Sequence, residues 1–174
     1  MGTSTIVYNL GLVLAWDLAD SRMVIVDCDL ERPACHLVFK LEPGPGLMDY
    51  LLERASLGEV IQLSLLDNLD LVTAGLTKRR VHSPFDLDRF AEFLAELKEY
   101  YDYILIDSAP ALRSTQARII AQKVDGVILV AAANQTRWEV VNELKRLLED
   151  DSRVLGAVLN KRRFVIPKAL YRFI

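Results

Sequence analysis

The sequence predicts an α/β fold, doubly wound, with a mainly parallel sheet flanked by helices. Two observations carry that expectation. Five short runs rich in Val, Ile and Leu, at residues 23–26, 69–73, 103–106, 127–131 and 154–159, lack the polar alternation of a sheet with one wet face. Helical patterns fall between them, and strands alternating with helices make a layered α/β domain.

Taken in order, the first helix is expected over residues 5–19, with Ile6, Leu10, Val13 and Leu14 on its buried face. The strand at 23–26 follows. Residues 42–46 hold two prolines and two glycines and read as a surface turn. Ser56 and Glu59 form a capping box for a short helix. After the strand at 69–73, Ser83 suits a helix cap, with Pro84 in the first turn. Phe90, Phe93, Leu94 and Leu97 give that helix its apolar face. Thr136 and Glu139 make a second capping box, opening a helix that ends near Glu149 and leads to the last strand.

A chain of 174 residues is long enough for one domain with a real core and short for two. Residues 1–160 are expected to form that domain, and residues 161–174 a basic tail. The net charge of −3 argues against a general nucleic-acid binder, which needs a basic excess. Cys28 and Cys35 fit a reduced pair better than a disulfide. No metal-ligand spacing joins them to His36 or His82. The first residues do not read as a signal peptide, and no apolar run is long enough to span a bilayer.

Three polar clusters lie where an open α/β sheet binds ligands, at the carboxyl ends of strands and at a helix start. Asp27 and Asp29 follow the first apolar run, and Asp107 follows the third. An apolar strand ending in Asp presents a carboxylate to Mg2+, which takes one or two carboxylates plus phosphate oxygens and water. The bland alternative is that each Asp caps the turn after it. Gly2, Thr3, Ser4 and Thr5 open the first helix, where backbone N–H groups and the helix dipole favour an anion. Alone, that third signal is weak, because Ser and Thr cap ordinary helices.

Together these clusters resemble the cytoplasmic kinase domain of the bacterial tyrosine kinases of capsule and exopolysaccharide assembly, P-loop relatives of the MinD and ParA ATPases. The resemblance runs from Met1 to about Asn160. It includes Gly2 to Thr5 with Asn9 and Leu10, and Val26 to Asp29 with Arg32, Pro33 and His36. It continues through Pro45 to Asp49, Asn68 to Asp70, Ala74 and Gly75, Tyr101 to Asp107 with Pro110, Val124 to Val127, and Leu155 to Asn160. By resemblance, Ser4 binds magnesium and Gly2, Thr3 and Thr5 lie against phosphate. Asp27 and Asp29 are the second acidic motif near the attacking hydroxyl and metal, Asp107 is the Walker B carboxylate, and Asn160 lies beside adenine. The implied cofactors are ATP or ADP with Mg2+.

The chain departs from the family pattern in four places. It opens on a helix, without the strand and glycine-rich loop that normally precede it. Thr3 stands where the phosphate-loop lysine belongs, and Glu31 where an arginine usually follows the second Asp. Only Tyr171 represents the usual C-terminal tyrosine cluster. An active kinase and a catalytically impaired one both fit, as do a MinD- or ParA-like surface ATPase switch and a non-enzymatic docking module. The resemblance implies a polysaccharide co-polymerase-type membrane partner, a homo-oligomer, and a place at the inner face of the cytoplasmic membrane. Lys161, Arg162, Arg163, Lys168 and Arg172, interleaved with apolar residues, suit contact with an anionic membrane surface.

Overall fold

The computed structural model describes residues 2–75, 85–149 and 152–162. The chain divides into two compact units, Thr3–Lys123 and the pair of segments Met1–Gly2 and Val124–Ile174.

In the larger unit, helix α1 (Thr3–Asp17) leads into β1 (Met23–Cys28). Three short helices follow, α2 (Cys35–Phe39), α3 (Leu47–Leu51) and α4 (Leu57–Val60), then β2 (Ile61–Leu63), β3 (Leu69–Val72), α5 (Leu87–Lys98), β4 (Tyr103–Ser108) and α6 (Thr115–Lys123). The sheet order is β2-β3-β1-β4. β1 pairs in parallel with β3 and β4, while β2 pairs antiparallel with β3. β1 is therefore central, and all six of its residues are buried. β4 is an edge strand of this sheet, and its apolar residues are exposed or only half-buried up to Ile106.

The smaller unit holds β5 (Val127–Ala132), α7 (Trp138–Glu149) and β6 (Val154–Asn160). Its two strands pair in parallel, with a register irregularity between Val127 and Ile128. Among the described residues, no helix is long and apolar enough to cross a membrane.

All five expected strands form, each within three residues of the apolar run that signals it. The face of α1 differs in part from the expectation: Leu14 packs on the core cluster and Ile6 and Leu10 are half-buried, but the most buried line lies beside them. Its buried residues are Tyr8, Gly11 and Ala15, whereas Val13 is 55% exposed. Gly11 is the reason. A Cβ there would meet Ile25 Cδ1 at 2.5 Å and Leu105 Cδ1 at 3.3 Å, so the bare backbone sets the line along which α1 lies on β1 and β4. Tyr8 then packs edge-on against Phe39, with centroids 5.4 Å apart, in a cluster with Met23, Ile25, Cys35, Leu69 and Leu71.

The helix caps divide in the same way. Glu59 accepts hydrogen bonds from the Ser56 backbone N–H at 2.8 Å and hydroxyl at 2.7 Å, as the capping pattern predicts. For α5 the cap is Asp86, not Ser83. Its carboxylate accepts from the N–H groups of Asp88 and Arg89 at 3.1 and 3.0 Å. Ser83, Pro84 and His82 lie outside the described residues. The expected face of α5 holds, with Phe90, Phe93, Leu94 and Leu97 buried. The Thr136 hydroxyl does not open α7 but accepts from the Ala132 N–H at 3.0 Å, fastening the turn after β5. That leaves α7 to begin at Trp138.

Candidate functional site

The site of the larger unit is built where β1 and β4 end side by side. Asp27 and Asp107 are register partners on these parallel strands, so both side chains leave the same face of the sheet. They are 0% and 1% exposed. Two carboxylates taken this far out of water disfavour their charged forms, and both are held above the usual carboxylate range.

The two acids are held differently. Asp27 Oδ2 accepts from the backbone N–H groups of Ala34 and Cys35 at 2.8 and 2.9 Å, and its Oδ1 from that of Asp29 at 3.1 Å. Burial raises its pKa, and these three donors oppose the rise. Much of its acceptor capacity is thus spent on the chain between β1 and α2. Asp29 folds the same loop, its Oδ1 accepting from the N–H groups of Glu31 and Arg32 at 3.1 and 2.9 Å. The bland reading of these residues is therefore realised in full for Asp29 and in large part for Asp27.

Asp107 has no such support. Both of its oxygens are buried without a hydrogen-bond partner. Burial is the main cause that pushes its pKa up, to about 6; Ser4 and Tyr8 nearby draw it down, and Asp27 adds a smaller upward push. Ser4 lies in the first turn of α1, and Tyr8 one turn further on the same face. Both hydroxyls sit close enough to the carboxyl to draw its pKa down as hydrogen-bond donors, yet neither reaches full hydrogen-bond geometry, and the buried Tyr8 Oη has no other partner. An orphaned carboxylate beside an orphaned phenol, at the N-terminus of a 15-residue helix, is a polar hole suited to a hydrated cation.

The buried cysteines do not contribute thiolates. Cys35 is pushed up to about 12 and Cys28 well above its ordinary value, first by burial and then by the negative charges of Asp27 and Asp107. Both are free thiols that pack as small apolar side chains.

Thr3 and Thr5 share the first turn of α1 with Ser4, with Thr5 exposed and its carbonyl accepting from the Asn9 amide at 2.7 Å. In the smaller unit, Asn160 ends β6 opposite Ala132. Its side-chain amide reaches the Gly2 carbonyl at 3.5 Å, and its side-chain oxygen accepts from the Lys161 N–H at 2.8 Å.

A family model described as an AAA domain matches residues 1–154. The putative tyrosine-protein kinase CapB of Staphylococcus aureus is 31% identical over 156 residues, covering 89% of this chain and 68% of the relative. The chain belongs to the bacterial tyrosine-kinase family. The crystal structure of the VpsO kinase domain superimposes with a TM-score of 0.80 at 34% identity, covering 93% of this chain and 79% of that one. The cell division ATPase MinD of Pyrococcus furiosus shares the fold, with a TM-score of 0.79 at 24% identity over 99% of this chain and 73% of that one. The sheet with its flanking helices is thus the P-loop NTPase arrangement of the tyrosine-kinase family.

Within this tyrosine-kinase-family domain the residues read from sequence divide into groups. Ser4, Asp27 and Asp107 come together in the larger unit, Asp29 shapes the loop beside them, and Gly2 and Asn160 are placed in the smaller unit. The reading of the sequence passed over Tyr8. The signal was present, because Tyr8 stands four residues after Ser4 on a helix, the spacing that puts two side chains on one face.

Proposed function

We propose that this chain is a magnesium-nucleotide-binding domain of the tyrosine-kinase type, serving capsule or exopolysaccharide assembly, with phosphoryl transfer weakened at Thr3. The observation that carries the proposal is Asp107, a buried carboxylate with two empty oxygens, facing Ser4 at a helix N-terminus and Asp27 across the strand pair.

Asp107 is the direct carboxylate for Mg2+, and Ser4 supplies a hydroxyl from the helix. When bound, the ion draws together phosphate oxygens and neutralises their charge. Asp27 Oδ1 accepts from one backbone N–H and keeps acceptor capacity, so Asp27 is assigned as the base that orients and accepts the proton of an attacking hydroxyl. Asp29 keeps the Asp27 loop in place. Gly2, Thr3 and Thr5 are phosphate contacts, and Asn160 is the neighbour of adenine. Residues 1–160 act as the nucleotide-binding domain. Its partner is a polysaccharide co-polymerase-type membrane protein at the inner face of the cytoplasmic membrane, and a homo-oligomer with no nucleic-acid role fits the same reading.

Thr3 is the weak point. A lysine beside a phosphate is worth roughly 4 kcal/mol near a protein surface before desolvation, and Thr3 supplies none of it. Calorimetric titration with Mg-ATP and Mg-ADP tests this. The wild type is expected to bind weakly, and Thr3→Lys to tighten Mg-ATP by about tenfold or more, which corresponds to ~1.4 kcal/mol. A chain that binds neither nucleotide in either form would sink the reading and favour a docking module.

Residues 161–174 are proposed as a peripheral membrane contact. Residues 163–174 lie outside the described residues, so the support is the sequence: five basic side chains among apolar ones, with no acidic residue. Sedimentation with anionic liposomes should show association that salt weakens and that deletion of residues 164–174 abolishes. No association at low salt would remove this part of the proposal.

A further inference from the structure

The magnesium reading accounts for Asp107 and Ser4 but leaves the Tyr8 phenol unexplained. A tyrosine on a buried helix face normally finds a partner for its hydroxyl, because an unpaired buried hydroxyl loses its water without compensation. Tyr8 is 4% exposed, and its Oη lies beside the Asp107 carboxyl without closing a full hydrogen bond. Its ring is fixed by the edge-on contact with Phe39, 5.4 Å away, and by the core cluster beneath the sheet. The hydroxyl is thereby directed to the polar hole at Asp107 and Asp27. Phenylalanine would fill the same apolar space without the penalty, so packing alone does not explain the hydroxyl.

We propose that Tyr8 is a positioning residue of the cation site, whose phenol holds a water of the bound Mg2+ and orients Asp107 from the side of α1. This inference rests on the magnesium reading. Mg2+ sheds its waters reluctantly and usually keeps several, so a site with few protein ligands must hold those waters from outside. The phenol can do so with both functions of one group. With an ion bound, its oxygen would accept from a water on the ion, and its O–H would donate to the Asp107 carboxylate. Ser4 would then meet the ion directly and Tyr8 through its water, from successive turns of one helix beside Asp107 on β4.

The test is titration of the purified chain with Mn2+ as the probe, followed by calorimetry, together with thermal melting of the metal-free protein. Wild type, Tyr8→Phe and Asp107→Asn are compared. Tyr8→Phe keeps the ring and the Phe39 contact and removes only the hydroxyl. The expected result is Mn2+ binding weaker by about 10- to 100-fold, the usual effect of losing an outer-shell partner. The metal-free melting temperature should stay level or rise, because an unpaired buried hydroxyl has gone. Asp107→Asn should abolish binding. If Tyr8→Phe binds Mn2+ as the wild type does while Asp107→Asn does not bind, the cation reading survives and the role of Tyr8 is overturned. If the wild type takes up no Mn2+, both fall together. A Tyr8→Phe protein that melts markedly lower without metal would give the phenol a structural role and also overturn the inference.

Discussion

Asp27 and Asp107 show how one residue type in one sequence setting acquires two characters. Each ends an apolar strand, and each lies across from the other in register. What separates them is the chain that follows. After Asp27 the backbone turns back and points three N–H groups at the carboxylate, whereas nothing returns to Asp107. That asymmetry has a measurable consequence in the metal-free protein. The folded pKa of Asp107, about 6, lies above the ~3.9 of an unfolded aspartate, so the folded state binds the extra proton between those values. The contribution of Asp107 to stability then falls as pH rises from about 4 to about 6, and levels off above. Asp107→Asn should remove that contribution, leaving the part due to Asp27, whose pKa is raised in the same direction. Urea midpoints measured between those pH limits would show it; an unaltered slope in the variant would refute the assignment. The sequence named both aspartates but offered no means of ranking them, because the ranking depends on where backbone donors point.

At the scale of the element, strands were legible and helix faces were less so. A strand buried on both sides needs only a continuous apolar run, and β1 and β3 have one. A helix face depends on which side meets the sheet, and for α1 that choice is made by an absence of side chain at Gly11. Glycine in a helix interior costs about 1 kcal/mol relative to alanine, so its presence signals a close approach that hydropathy cannot register. The rotation that results takes Val13 out to solvent and brings Tyr8 in, which is why Tyr8 escaped notice as a polar group of the site. Short elements were lost for a different reason. β2 has three residues and α2 and α3 five each, too few for any period to declare itself. Caps were readable where the residue and its partner are local, as at Ser56 and Glu59. The cap of α5 was misread, because Ser83 suits a cap that Asp86 supplies.

For the whole molecule, the order of motifs along the chain carried the family, and the structural likeness to the VpsO kinase domain and to MinD agrees with it. The division into two units was not legible, since no change of composition marks the boundary near Val124. The strand at the edge of the larger unit has a practical consequence. Within this unit's sheet, Tyr103, Ile104, Leu105 and Ile106 form an apolar border without a lysine or proline. Borders of that kind recruit further strands from any chain able to supply one. The purified chain should therefore be well behaved when dilute and self-associate as it is concentrated, visible as a rising weight-average mass in sedimentation runs. A lysine at this border, as in Ile104→Lys, should restore a constant mass across the same range, and a wild type whose mass never changes would show that the border is already shielded.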